Sequence, residues 1–303
     1  MRALVIGADG FAGRWLTRHL IDSGDQVVAG VGPHFAGDEL AADEIVAVDV
    51  TDASALAIAI QAGKPDVTYY LAGVSSRESR DAIGSAVAVT ITGSVGTLSA
   101  LSEHAPGSRL LFVSTAQVYQ PSPDPQDESA PAKPGDVYGT AKLAAEHALT
   151  TLADVSGIRL SIARPFNHIG PGQREGFLVP TVASQLRDVA NGEATEVSVG
   201  AVDDVLDFSD VRDVVRAYRL IAASGETGIW NVASGRGRLV KELIGQMVQL
   251  AGSNAEVISK APASYAGPKT LIGDATKLRG LGWAPAHDIS DTLRDVLDTY
   301  RVD

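Results

Sequence analysis

Hydrophobic and polar positions alternate in blocks along most of the first half of the chain. Arg2–Ile6 is a short apolar run that leads through Gly7-Ala-Asp-Gly10-Phe11-Ala12-Gly13 into an amphipathic stretch, Arg14-Trp-Leu-Thr-Arg-His-Leu-Ile. That order predicts a strand, a glycine turn and a helix. Further apolar runs at Gln26–Val31, Glu44–Val50, Asp66–Leu71, Arg109–Ser114 and Ile158–Arg164 read as strands. Between them, Asp52 to about Gly63, Asp81 to about His104 and the stretch after Tyr138 read as helices. Strands alternating with helices predict an α/β chain with a parallel, doubly wound sheet of the Rossmann type. After Pro165 the pieces are shorter and mixed, as in a smaller α/β lobe that covers a crevice. The expected division is residues 1–166 plus about 204–233 for the dinucleotide-binding domain. The substrate lobe takes about 167–203 plus 234–303.

The glycine turn has chemistry as well as shape. Gly7 allows the tight turn, Gly10 lets a pyrophosphate approach the backbone, and Gly13 allows helix and strand to pack closely. A pyrophosphate would sit at the positive end of the helix that follows. At the end of the second strand an acidic residue would favour NAD and an arginine NADP. The chain has Gly30-Val-Gly-Pro-His34, which is neither. The missing carboxylate leans the cofactor toward NADP(H), with His34 either a neighbour of its phosphate or a loop residue without a role.

Tyr138-Gly-Thr-Ala-Lys142 places a phenol and an ammonium four residues apart on one helix face. A nearby cation favours phenolate and makes the phenol useful in proton transfer. In the bland alternative, Lys142 pairs with Glu146, four residues further on. Thr115, at the end of the fifth strand, lies where a doubly wound sheet has its ligand crevice and could share a proton with Tyr138. Between the two runs Gln120–Asp136, rich in Pro, Asp and Ser, read either as a flap over the substrate or as a solvated connection. Asn167 offers both donors and acceptors to a substrate. Asp207–Asp213 is expected to open a helix with Asp/Ser caps.

Net charge is −12 and there is no cysteine among the 303 residues. The charge argues against nucleic acid or an anionic membrane as main partner, and the missing cysteine removes disulfides, thiolate metal sites and a thiol nucleophile. The opening residues are too short for a signal peptide, and no apolar run reaches the length of a membrane span. The expectation is a cytoplasmic protein.

Gly7/Gly10/Gly13, Asp49-Val50, Thr115, Tyr138-x-x-x-Lys142 and Arg164-Pro165-Phe166-Asn167, in this order, resemble an extended short-chain dehydrogenase/reductase. Phe166–Gln173, Asp207–Asp213 and Thr270–Gly273 are similar to the GDP-4-keto-6-deoxy-mannose reductases within it. The resemblance implies NAD(P)(H) held by Gly7, Gly10, Phe11, Ala12, Gly13, Asp49, Val50, Leu71, Ala72, Gly73, Tyr138, Lys142 and Pro165. It implies Thr115, Tyr138 and Lys142 as catalytic set, and a nucleotide-linked hexose near Ser75, Thr115, Gln117, Phe166, Asn167, Arg174 and Val179, with no metal. Lys142 would lower the Tyr138 pKa and hold the nicotinamide ribose. It further implies a homodimer through a four-helix bundle built from the helices at about 81–104 and 137–155. Dehydratases of this superfamily carry an acid and a base right after the Thr115 position. Here Ala116 and Gln117 stand there, which leaves ketone reduction or 4-epimerisation. Leu206 and about Ser264 occupy places where relatives carry diphosphate-binding arginines, and Arg174, Arg236, Arg238 and Lys269 are the cations available instead. A cofactor-binding sensor or scaffold is the non-enzymatic alternative.

Overall fold

The computed structural model describes residues 1–37, 40–74, 78–261 and 267–300. The strands are β1 Arg2–Ile6, β2 Gln26–Val31, β3 Glu44–Ala47, β4 Val67–Tyr70, β5 Arg109–Val113, β6 Arg159–Pro165 and β7 Asn167–Ile169. After them come β8 Glu196–Val199, β9 Val205–Asp210, β10 Gly228–Val232, β11 Gly237–Leu239, β12 Glu256–Ser259 and β13 Thr270–Leu271. The helices are α1 Phe11–Asp22, α2 Ala53–Gly63, α3 Glu78–Asp81, α4 Ile83–Val87, α5 Gly93–His104, α6 Val137–Ser156 and α7 Leu178–Ala190. The chain closes with α8 Val211–Ser224, α9 Val240–Leu250, α10 Thr276–Gly280 and α11 Ile289–Asp298.

Seven strands form one parallel sheet in the order β10-β6-β5-β4-β1-β2-β3. The order reverses between β1 and β4, which opens a crevice at the carboxyl ends of those strands. Two apolar cores cover the two faces. One holds Leu16 and Leu20 of α1 with Val214, Tyr218 and Ile221 of α8; the other holds Leu56 and Ile60 of α2 with Leu98, Leu101, Ala145 and Leu149. A separate cluster of Val179, Val182, Leu186, Phe208, Leu243, Met247, Leu293 and Val296 fills the C-terminal half. There β9 is the centre of a small mixed sheet, paired antiparallel with β11 and parallel with β13 and β7.

Three expectations change. Asp207 does not open a helix: Val205–Asp210 is a strand, and Asp210 is the cap of α8, accepting the Arg212 N–H. Backbone pairing of this run with β7, β11 and β13 outweighed the capping signal of its aspartates. The third strand stops at Ala47, because the Asp49 carboxylate turns the chain by accepting the Thr51 N–H at 2.9 Å and its hydroxyl at 2.7 Å. The stretch Ile83–His104 is continuous helix through a π-helical turn at Ala88–Thr92, and its length and composition would let it cross a membrane. The helix itself is the one expected from Asp81 to about His104; the Ser, Thr and Gly residues scattered through it keep it from reading as an apolar run of membrane length. Here it packs on α2 and α6, with Thr90, Ser94, Thr97 and Leu101 buried.

Candidate active site

The first turn of α1 shows why the glycines are needed. Gly7 has φ +86, a conformation open to glycine, and a β-carbon there would lie 2.7 Å from the Ala72 nitrogen. A β-carbon on Gly13 would overlap the Gly7 carbonyl oxygen and the Ala8 backbone. Gly10 caps the helix without a side chain, and no acidic residue stands in its first turn. The positive helix end is therefore left to an external anion, and the bare backbone fits a dinucleotide pyrophosphate. Gly73 and Ala72 continue this small-residue wall, and a β-carbon on Gly73 would sit 3.4 Å from the Lys142 ammonium. Leu71 and Phe11 are partly buried beside it, as is Ala12.

At the adenosine end, Asp49 is exposed and Val50 is buried. Arg14, which sequence reasoning passed over, donates to the Asp9 carbonyl at 3.1 Å and lies over the Phe35 ring at 5.9 Å. It thus brings a guanidinium beside the loop that follows β2. Its only signal was its place in the first turn of α1.

Thr115 and Tyr138 come together at the mouth of the crevice. Thr115 is buried at the end of β5, and its oxygen accepts the Gln117 N–H at 3.2 Å. Asp136 caps α6 by accepting the Gly139 N–H at 2.7 Å, which fixes the start of the helix carrying Tyr138 and Lys142. Gly139 lets that turn approach the Gln117 carbonyl and Pro134. Burial pushes the Tyr138 phenol up to about 12, opposed by a hydrogen bond from the Thr115 side chain. Lys142 is buried, donates to the Val113 carbonyl at 2.7 Å and lies 4.9 Å from the Phe112 ring centre. Burial lowers its pKa to about 8, with Glu146 pulling the other way.

Two expectations are corrected here. Tyr138 is not brought down by Lys142: burial dominates, and the lysine points its nitrogen at the Val113 carbonyl. Lys142 does not pair with Glu146 either. Glu146 is buried against Arg164, which donates to it at 3.0 and 2.5 Å, and it also accepts the Ser114 hydroxyl. Arg164 also reaches the Tyr119 hydroxyl at 2.9 Å, which donates to Asn231 at 2.8 Å. This buried chain of groups ties β5, α6, β6 and β10 together directly behind Thr115 and Lys142. The sequence held one hint of it, the Glu146 spacing.

The proposed substrate residues divide. Gln117 is half-buried beside Thr115, and Phe166 is buried against Tyr119. Asn167 is half-buried and donates to the Asp207 carbonyl at 3.1 Å. Pro165 closes β6 next to it. Arg174 is exposed and paired with Glu78 at 2.7 Å, bridging the two sides of the chain. Val179 is fully buried in the C-terminal core, so it shapes the wall from behind and does not face a ligand. Ser75 and Ser264 lie outside the described residues. Leu206 is half-buried among apolar neighbours. No cluster of metal-binding side chains occurs among the described residues.

Residues 3–233 match the NAD dependent epimerase/dehydratase family. The chain belongs to that family. The GDP-6-deoxy-D-mannose reductase of Pseudomonas aeruginosa is 31% identical over 245 residues, 78% of this chain and 80% of the relative. The structure of RMD from Pseudomonas aeruginosa complexed with NADPH superposes with a TM-score of 0.87 at 27% identity, covering 99% of both chains. The Thermus thermophilus UDP-glucose 4-epimerase complex with NAD gives 0.88 at 25% identity, again over 99% of both. Two parts of the sequence reading, the doubly wound parallel sheet of the Rossmann type and the family, both stand. As members of this family carry out NAD(P)-dependent chemistry, the bare α1 terminus and its glycines have a ready occupant.

Proposed function

We propose that the chain is an NAD(P)(H)-dependent oxidoreductase that reduces the C4 ketone of a nucleotide-linked 4-keto-6-deoxy hexose. The observation that carries this is the meeting of Thr115, Tyr138 and Lys142 beside Ala116 and Gln117, two side chains that cannot expel water from a sugar. Reduction needs one hydride at carbon and one proton at oxygen. When bound, the reduced nicotinamide supplies the hydride. Tyr138 supplies the proton: a phenol held near pKa 12 is fully protonated at neutral pH and ready to give. Thr115 orients the carbonyl from the other side and is repaid as a relay partner, since its oxygen already meets the phenol. Lys142, half charged near pH 8, adds positive potential as the alkoxide forms. In this reading Asn167 and Gln117 hold sugar hydroxyls. Gly7, Gly10 and Gly13 hold the pyrophosphate, and Arg14 beside the β2 loop supports NADP(H) over NAD(H).

A nucleotide-sugar 4-epimerase is the second reading, supported by the likeness to the Thermus thermophilus enzyme. It must first take a proton from the sugar, which a phenol near pKa 12 does poorly. The intact catalytic set counts against a cofactor-binding scaffold. The same reading places the protein in the cytoplasm as a homodimer. Ile83 and Val87 of α4 and Leu152 and Val155 of α6 are exposed apolar residues on the helices expected to form the bundle.

Tyr138→Phe is expected to lower kcat about 10²–10⁴-fold on a 4-keto sugar nucleotide while NADPH affinity stays within twofold. Full activity in that variant would end the proposal. NAD released only on denaturation would move the assignment to the epimerase.

A further inference from the structure

A cleft of about 670 Å³ opens between the end of β9, the turn at 234–238 and the loop that enters α11. Thr115, Tyr138 and Lys142 do not line it. Arg236, Arg238 and Arg279 do. None of these three forms an ion pair among the described residues. Arg279 spends one nitrogen on the Ser234 carbonyl at 2.9 Å, and the Arg238 Nε is buried with no hydrogen-bond partner.

The carboxylates in the same wall are already committed. Asp210 is held by Arg212 and the Thr292 hydroxyl. Asp213 is held by Arg216 and the backbone N–H groups of Ala286 and His287. Asp288 caps α11 through the Ser290 N–H at 2.7 Å, and the nearby charges of Arg238 and Arg236 help hold its carboxylate ionised without forming an ion pair. Three guanidinium groups therefore share a concave surface on a chain of net charge −12, and none is closed into an ion pair among the described residues. Like charges gathered this way repel, and a multivalent anion relieves the repulsion. Planar forks of donors match phosphate oxygens two at a time, and three of them match more than one phosphate.

We infer that this cleft binds a phosphate-bearing ligand, with a diphosphate as the group it grips through Arg236, Arg238 and Arg279. Two sources carry that group: the diphosphate of a bound nucleotide sugar, or a separate nucleotide. The first has a route, because Arg238 pairs in register with Leu206 and Asn167 with Phe208, so both sites are built on β9. Binding of inorganic pyrophosphate does not depend on whether the enzyme reduces a ketone.

The test is calorimetric titration of inorganic pyrophosphate into full-length protein saturated with NADPH, so that the α1 terminus is occupied. Wild type is expected to bind, with affinity falling as salt rises. The Arg236→Ala/Arg238→Ala variant is expected to bind at least tenfold more weakly, with an unchanged circular dichroism spectrum. Should that variant melt early, Arg279→Gln on exposed α10 serves instead, with an expected loss of at least threefold. Equal binding by wild type and a folded variant, or no binding by wild type, overturns the inference. Addition of GDP-mannose separates the sources: competition with pyrophosphate assigns the cleft to the substrate's diphosphate, and simultaneous binding assigns it to a separate nucleotide.

Discussion

Replacing Lys142 with Met removes a charge that the fold holds in a poorly solvated place. Burial takes its pKa from an ordinary 10.5 to about 8. With each pKa unit worth roughly 1.36 kcal/mol, that gap disfavours the charged native lysine by roughly 3–4 kcal/mol. Below pH 8 folded and unfolded chains both carry the proton, and the whole penalty applies. Between pH 8 and 10.5 the folded chain has released it while the unfolded chain still binds it, so wild-type stability rises with pH across this window. The Met side chain has no such dependence, but it leaves the Val113 carbonyl without its donor, a loss of about 1–3 kcal/mol. The variant is therefore expected to be more stable than wild type by roughly 0.5–2.5 kcal/mol at pH 7. At pH 10 roughly 1 kcal/mol of the penalty remains, so there the variant is level with wild type or less stable by up to about 2 kcal/mol. Urea unfolding followed by tryptophan fluorescence at pH 7, 8, 9 and 10 measures both chains, and taking their difference cancels titrations they share. A difference that stays constant over this range would refute the reasoning. A Met variant that is both more stable at pH 7 and inactive would show that the site is held at the expense of stability.

Glu146→Leu strands the buried Arg164 guanidinium and is expected to cost about 3–5 kcal/mol, read as a fall in the urea midpoint. Adding Arg164→Met should restore most of it, and two losses that simply add would contradict a coupled pair. Gly13→Ala puts a methyl group against the Gly7 carbonyl and the Ala8 backbone. A loss of at least tenfold in NADPH affinity is expected by fluorescence titration, and unchanged affinity would remove the close-packing argument.

The parts of the fold that could be read in the sequence are those where one local rule decides. The glycine turn, six strands of the large sheet and the Tyr138–Lys142 spacing depend on backbone sterics and periodicity, and each lies within a few residues of its prediction. Features set by distant partners were hidden. β9 looked like a helix start because its aspartates are good caps; nothing local shows that β7, β11 and β13 will pair with it. The reach of Lys142 to Val113, and of Glu146 to Arg164, depends on how α6 lies on β5 and β6. The three arginines of the cleft come from the turn before β11, from β11 itself and from α10, which meet only after folding. The Tyr138 pKa was misjudged for the same reason: charge spacing along a helix is visible in a sequence, and burial is not.

The edge strand of the large sheet has a consequence for biosynthesis. Gly228–Val232 pairs with Ser161–Pro165, so the largely buried β6 waits for a partner that leaves the ribosome only after α7, β8, β9 and α8. Until then the nascent chain carries an open β edge, and the pairing that closes it spans a long loop. Such edges recruit other chains, and such loops close slowly. Chaperone demand during expression should therefore centre on this interval. A circular permutant that moves β10 ahead of β6 in the chain would shorten it without changing any residue of the active site.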